Sequence, residues 1–147
     1  MTADELATAV GTEAANELAS ALARIKHCLG QLSDEQVWCR SHPSLSRAGN
    51  FVLGLCGNLR QWIVAGLGGA ADVRDRPAEF AERGPIPMDE LLRRLEAVVD
   101  ESRSVLARQT PRHLLEARRI QGFDVTGLNA IFDSVPTSGV TRRRSSA

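Results

Sequence analysis

Three stretches of the chain carry apolar residues at the spacing of an amphipathic helix. Residues 3–31 are rich in Ala and Leu and predict a long first helix. Residues 46–67 predict a second helix, which the pair Gly68 and Gly69 ends. Residues near 89–106 predict a third helix. The apolar stripes contain Leu18, Leu22, Ile25 and Leu29 in the first helix, Val52, Leu55, Leu59 and Ile63 in the second, and Leu91, Leu95, Val98, Val99 and Leu106 in the third.

A fourth helix is predicted near the end of the chain, with Asp124 as its cap and Pro136 as its limit. Its apolar positions are Val125, Leu128, Ile131 and Phe132. A capping box at Ser33 to Gln36 predicts one further short turn of helix. No segment alternates with period two, so no strand is expected. The pattern predicts an all-α bundle with its fourth helix cut short, a helical domain at 1–136, and a basic, disordered tail at 137–147.

Composition and charge narrow the classes of partner. The chain has 147 residues, 43% of them hydrophobic, and a formal net charge of zero, which favours one domain and neither a nucleic acid nor a membrane as partner. The acidic start carries no signal peptide, and Arg60 interrupts the most apolar stretch. An odd number of cysteines without an export signal predicts free thiols and a cytoplasmic location.

The second helix carries a second stripe, made of small and polar residues: Asn50, Gly54, Gly57, Asn58 and Gln61. Because glycine inside a helix costs about 1 kcal/mol relative to alanine, this stripe indicates either close packing or the wall of a pocket. The long charged loop at 70–87 is the nearest partner in sequence, and such loops are often functional. We expect Arg60 to pair with Asp75 or Glu79 and fasten this loop. Its charges invite a catalytic interpretation, but solvated ion pairs are the more frequent outcome for Arg74, Asp75, Arg76 and Glu79.

The histidines and cysteines give no metal-binding spacing. His27 lies near the apolar stripe of the first helix, which favours a core or half-buried position over a ligand role. His42 and His113 stand beside prolines and are expected to be exposed. Cys28 and Cys56 are expected as small buried hydrophobes, and a thiolate site of these two with Cys39 and His27 is the weaker alternative.

Three long blocks resemble the DinB superfamily, and within it a branch of uncharacterised bacterial proteins. They are Asn50 to Ile63 (NFVLGLCGNLRQWI), Arg74 to Pro87 (RDRPAEFAERGPIP) and Arg118 to Pro136 (RRIQGFDVTGLNAIFDSVP). The resemblance implies a four-helix bundle, often dimeric, with zinc or nickel held by one histidine of the second helix and an H-x-x-x-H pair of the fourth. It also implies a metal-dependent thiol S-transferase, acting with a low-molecular-weight thiol, or a hydrolase.

The chain departs from that resemblance at every implied metal ligand. The implied ligand positions fall at Gly54, Thr137 and Thr141. Thr137 and Thr141 keep the spacing of the histidine pair, and a threonine codon read one base earlier after a C becomes the histidine codon CAC. We hypothesise a single-base deletion near codon 137. The nucleotides of codons 134–147 decide this, because a plus-one frame without an amphipathic helix rules it out.

Three functions remain open at this point. The first is a degenerate DinB-like protein, truncated or frame-shifted at its C-terminus, that has lost the metal site and holds no cofactor. The second is the metal-dependent transferase or hydrolase that the resemblance implies. The third is a helical module that binds a small ligand or a partner, with a candidate pocket lined by His27, Asn50, Asn58 and Gln61. An uncovered apolar face beside the short fourth helix predicts low solubility or a homodimer.

Overall fold

The computed structural model describes residues 1–39 and 47–139, and this part of the chain is mostly helical. The helices are α1 (Ala3–Leu29), α2 (Asp34–Val37), α3 (Ala48–Leu59), α4 (Arg76–Ala81), α5 (Met88–Ala107), α6 (Pro111–Leu115) and α7 (Gly127–Gly139). A π-helical segment, Arg60–Ala65, continues α3. Two short strands, β1 (Ala117–Ile120) and β2 (Phe123–Thr126), precede α7. The all-α prediction is confirmed at this level.

The helix α1 begins at a reciprocal cap and buries a run of small residues. The Thr2 hydroxyl accepts from the Glu5 amide, and the Glu5 carboxylate accepts from the Thr2 amide, so two free donors of the first turn are satisfied. The buried face contains Ala7, Gly11, Ala14, Ala15, Leu18 and Ala21. Because most of these side chains are small, α1 lies close to α5 and α7, the two helices that it contacts most. The predicted cap at Ser33 and Gln36 is also confirmed.

The helix α3 confirms the predicted second helix, but its last turns are wider than an α-helix. The π-helical segment brings three consecutive side chains out toward three different elements. Arg60 pairs with Glu101 of α5, Gln61 bonds to the 70–87 loop, and the Trp62 ring nitrogen donates to Gln121 between the strands, at 3.0 Å. The segment therefore ties the second long helix to α5, to the 70–87 loop and to the turn between β1 and β2.

The strands form an antiparallel hairpin that the sequence did not predict. Gln121 and Gly122 make the two-residue turn, and both have positive φ, at 53° and 80°. Turns of this kind match the twist of paired strands. Each strand is four residues long, too short for the alternation of polar and apolar positions to be visible. The predicted cap at Asp124 is wrong, because Asp124 lies in β2.

Thr126 caps the start of α7: its hydroxyl accepts from the Asn129 amide, and the Asn129 side chain accepts from the Thr126 amide in return. The helix then runs through Pro136 to Gly139, so the prediction that it ends near Pro136 is wrong. Proline removes one backbone donor but does not end the helix here. Its buried residues Ala130, Ile131, Ser134 and Val135 cover the core. The expected homodimer stays a prediction. It was argued from an apolar face left open by a short fourth helix, and in the described residues α7 covers that side of the core.

The core lies between α1, α3 with its π-helical segment, α5 and α7. The helix α1 packs against α5 and α7, α3 packs against both of these helices, and α7 also contacts the π-helical segment. Leu18, Leu59, Trp62, Ile63, Leu91, Leu95 and Leu106 are the largest apolar side chains at its centre. No helix in residues 1–39 or 47–139 is long and apolar enough to cross a membrane. The basic, disordered tail was predicted at 137–147, but residues 137–139 belong to α7, so its predicted start is wrong; residues from 140 onward lie outside the described part.

Candidate functional site

Opposite faces of α3 have different partners. One face buries Val52, Leu55 and Leu59 in the core. The other face, which carries Asn50, Gly57 and Gln61, contacts the 70–87 loop, whose short helix α4 packs on α3. The small and polar stripe that the sequence revealed is therefore largely a seam for this loop.

A buried ion pair forms the centre of the seam. The Arg74 guanidinium donates to both carboxylate oxygens of Glu79, each at 3.0 Å. The exposed fractions of the two side chains are 7% and 14%, so the expectation of a solvated network is wrong for this pair. Arg74 also donates to the Gln61 side-chain oxygen at 3.0 Å and to the Gly54 carbonyl at 3.5 Å. Bidentate pairing and these extra acceptors satisfy a charge that is costly to bury alone.

Two residues of α3 are shaped to receive the loop. A Cβ atom at Gly57 would collide with the Glu79 carboxylate and approach the Arg74 guanidinium, so a larger residue would displace the ion pair from its present position on the helix. The buried Asn50 amide donates to the carbonyls of Glu79 and Glu82, both at 2.8 Å. These bonds satisfy backbone acceptors at the end of α4. Gln61 adds a bond of 3.0 Å to Asp72.

Gly54 differs from Gly57 although both belong to the same stripe. No heavy atom lies within 4 Å of a Cβ atom built on Gly54, so this position faces open space. Glycine supplies no side-chain donor to a metal, and the Gly54 carbonyl already accepts from Arg74. The implied second-helix ligand therefore does not fit the residue that is present. Thr137 falls in α7, and Thr141 lies outside the described residues.

The four candidate pocket residues do not form one site. Asn50 and Gln61 bond to the 70–87 loop. Asn58 is half-buried and makes no side-chain hydrogen bond with a described residue. His27 is exposed at the end of α1, where its ring nitrogen lies 3.2 Å from the Gln31 amide nitrogen. The expectation of a core or half-buried His27 is wrong, because the last turn of α1 turns this position toward solvent.

The predictions for Arg60, Asp75, His42 and His113 have different outcomes. Arg60 pairs with Glu101 rather than with Asp75 or Glu79, since the π-helical segment directs it toward α5. Asp75 instead caps α4 by accepting from the Ala78 amide. His113 is exposed as predicted, within α6 rather than in a loop. His42 lies outside the described residues.

The three cysteines have different environments. Cys28 and Cys39 are exposed, so burial of Cys28 was predicted wrongly, while Cys56 is half-buried on α3. Burial raises the pKa of the Cys56 thiol from 9.0 to about 11, although the Arg60 and Arg94 guanidinium groups oppose this by lowering the pKa. Cys56 is therefore a thiol at neutral pH, and thiols are poor nucleophiles and poor metal ligands.

We expect the cysteines to react in two classes. At pH 8 an alkylating reagent should label Cys28 and Cys39 rapidly and Cys56 at least about a hundredfold more slowly, because its thiolate population is lower and access is restricted. The label on each residue is measured by peptide mass spectrometry over time. Denatured protein is the control, in which all three should react alike. Rapid labelling of Cys56 in the native protein would contradict its burial.

Among residues 1–39 and 47–139, no three His, Cys, Asp or Glu side chains come together as a metal-binding group. Neither a protein-family model nor a curated protein nor a solved structure matched the chain.

The sequence drew attention to Arg74 and Glu79, but it did not reveal that they are buried or that they pair with each other. The available signal was their position on a long loop facing a helix stripe that contains two glycines.

Proposed function

We propose that this chain is a DinB-type four-helix-bundle protein that lacks the three-histidine metal centre and serves as a non-catalytic helical module. The observation that carries the proposal is Gly54. At the position where the resemblance requires a histidine, the chain has no donor side chain, and its carbonyl accepts from Arg74. In this proposal α1, α3 with its π-helical segment, α5 and α7 are the four helices of the bundle.

Two features support the loss of the whole metal centre rather than the replacement of a single ligand. Gly54 belongs to α3, whereas Thr137 and Thr141 belong to the C-terminal segment. The proposed single-base deletion accounts for both threonines but cannot alter residue 54. Two separate changes at three ligand positions favour relaxed constraint on metal binding. A thiol S-transferase or hydrolase of the DinB type requires those ligands, so we assign no reaction step to this chain.

Metal analysis tests the proposal. The chain is produced without a polyhistidine tag, with zinc and nickel in the medium, and dialysed before elemental analysis by mass spectrometry. The measurement is repeated on the double variant Cys28→Ser/Cys39→Ser, because exposed thiols can bind zinc adventitiously. We expect far less than one zinc or nickel ion per chain in the double variant. One tightly held ion per chain in that variant would refute the metal-free proposal.

The open space beside Gly54 favours one second candidate, a module that binds a small ligand. The half-buried Asn58 amide is the polar group available one helical turn away. Native mass spectrometry of the same preparation reads out this candidate directly. A retained small molecule that is lost in Gly54→Trp, but kept in Gly54→Ala, would favour it. Protein of the bare chain mass in all three forms would rule it out for ligands that survive purification.

A further inference from the structure

Residues 70–83 of the loop are attached to the molecule by polar contacts rather than by apolar burial. Ile86, near the C-terminal end of the loop, packs against the core, but α4 contributes no residue to it. The apolar side chains of Val73 and Phe80 are 74% and 54% exposed. Segments with few buried apolar contacts open at a lower free energy than the core around them.

Both charges of the buried ion pair belong to the loop itself. Arg74 and Glu79 are five residues apart, so they leave α3 together when the loop moves away. Only neutral groups remain behind, the amides of Asn50 and Gln61 and the Gly54 carbonyl, and water can replace their partners. No unpaired charge is left on α3. Breaking a buried ion pair is usually costly because one charge stays buried without its partner. When the loop detaches, both charges enter water together, so this cost does not arise.

The two ends of the loop are suited to such a movement. Gly69 has φ of 79° and is exposed, so the chain leaves the end of the second long helix through a residue that tolerates large backbone changes. At the other end Trp38 lies against Gly84 and donates to the Ile86 carbonyl at 2.9 Å. This contact keeps the C-terminal end in place ahead of α5.

We propose that residues 70–83 of this loop are a latch that detaches from α3 as a unit, while Trp38 holds residues 84–87 and the long helices stay folded. Detachment uncovers Asn50 and Gly57 of α3 and Gln61 of the π-helical segment, and closure covers them again. This movement does not depend on whether the chain binds a metal.

Gly57 and Gly54 offer matched variants for a test. Gly57 faces the ion pair and away from the core, so Gly57→Ala hinders closure of the latch while improving the helix propensity of α3. Gly54→Ala makes the same chemical change on the same helix and meets no atom within 4 Å. Gln61→Ala is a second opening variant, because the bonds of the Gln61 side chain go to Asp72 and Arg74 of the latch.

Limited digestion with trypsin reads out opening. Cleavage after Arg74 requires detachment because that side chain is 7% exposed, whereas cleavage after Arg103 requires opening of α5. The two rates are measured by peptide mass spectrometry in the native protein and in each variant. Circular dichroism records the melting temperature of each.

We expect wild-type cleavage after Arg74 under conditions that leave Arg103 intact. Gly57→Ala and Gln61→Ala should accelerate cleavage after Arg74 by at least about tenfold, and Gly54→Ala should leave its rate unchanged. The melting temperature of Gly57→Ala should not fall. The proposal is overturned if Arg74 and Arg103 are cleaved at parallel rates in every protein. It is equally overturned if neither opening variant accelerates Arg74 cleavage, or if both unfold the whole chain.

Discussion

Replacement of Trp62 by alanine lowers the free energy of unfolding by about 4 kcal/mol. Trp62 is 1% exposed and is the largest side chain at the centre of the core. Truncation removes its apolar contacts and leaves a cavity between the π-helical segment and the helices around it. It also removes the ring donor that bonds to Gln121, so the hairpin loses a link to the second long helix. Urea unfolding followed by circular dichroism measures the change.

Phe132→Ala is the control for Trp62→Ala, because Phe132 is 68% exposed on α7. We expect its free energy of unfolding to stay within about 0.5 kcal/mol of wild type. Trp62→Phe separates the two causes, since phenylalanine retains most of the ring but has no donor for Gln121. A loss below about 1 kcal/mol in Trp62→Ala would mean that this side chain is not at the centre of the core.

Replacement of Gly11 by alanine lowers the free energy of unfolding by about 2 kcal/mol, although alanine is the better helix former. A Cβ atom at Gly11 would collide with the backbone carbonyl oxygen of Leu106, and its carbon lies 3.1 Å away. A backbone atom cannot rotate aside, so α1 must move away from α5. The strain of this movement outweighs the gain of about 1 kcal/mol in helix propensity.

Gly54→Ala is the control for Gly11→Ala, because Gly54 lies inside a helix and faces open space. Its free energy of unfolding should rise by about 1 kcal/mol. The two changes are chemically identical, so their opposite signs in urea unfolding isolate the close approach of α1 to α5. An equal rise in both variants would show that Gly11 is not held against Leu106.

The helical parts of this protein follow closely from local patterns. The apolar stripe with Leu91, Leu95 and Leu106 predicted α5, and the reciprocal cap at Ser33 and Gln36 predicted α2. These signals are local, since a stripe or a cap is complete within a few turns. The hairpin was not predicted because strands of four residues are too short to show a periodic pattern, and only Gly122 marked the turn.

The candidate site could be predicted only in part. The small and polar stripe of α3 was visible, and so was the missing donor at Gly54. Two alternatives stood open for this stripe, a pocket wall and a packing seam. The structure supports the packing seam at Gly57, which lies under the Arg74–Glu79 pair, whereas Gly54 faces open space and does not belong to that seam. Two glycines of one stripe therefore have different surroundings.

The amino-acid sequence by itself determined that the four longest segments are helical and that no side-chain donor stands at position 54, but it did not reveal the short helices α4 and α6. Periodicity, capping and residue identity are properties of neighbouring residues, which is why they can be recognised without a fold. Only the tertiary structure decided that Arg74 and Glu79 are buried as a pair and that Asn50 and Gln61 hold the loop. Burial depends on which distant surface covers a residue, and here that surface is the side of α3 where Gly57 leaves room for the pair.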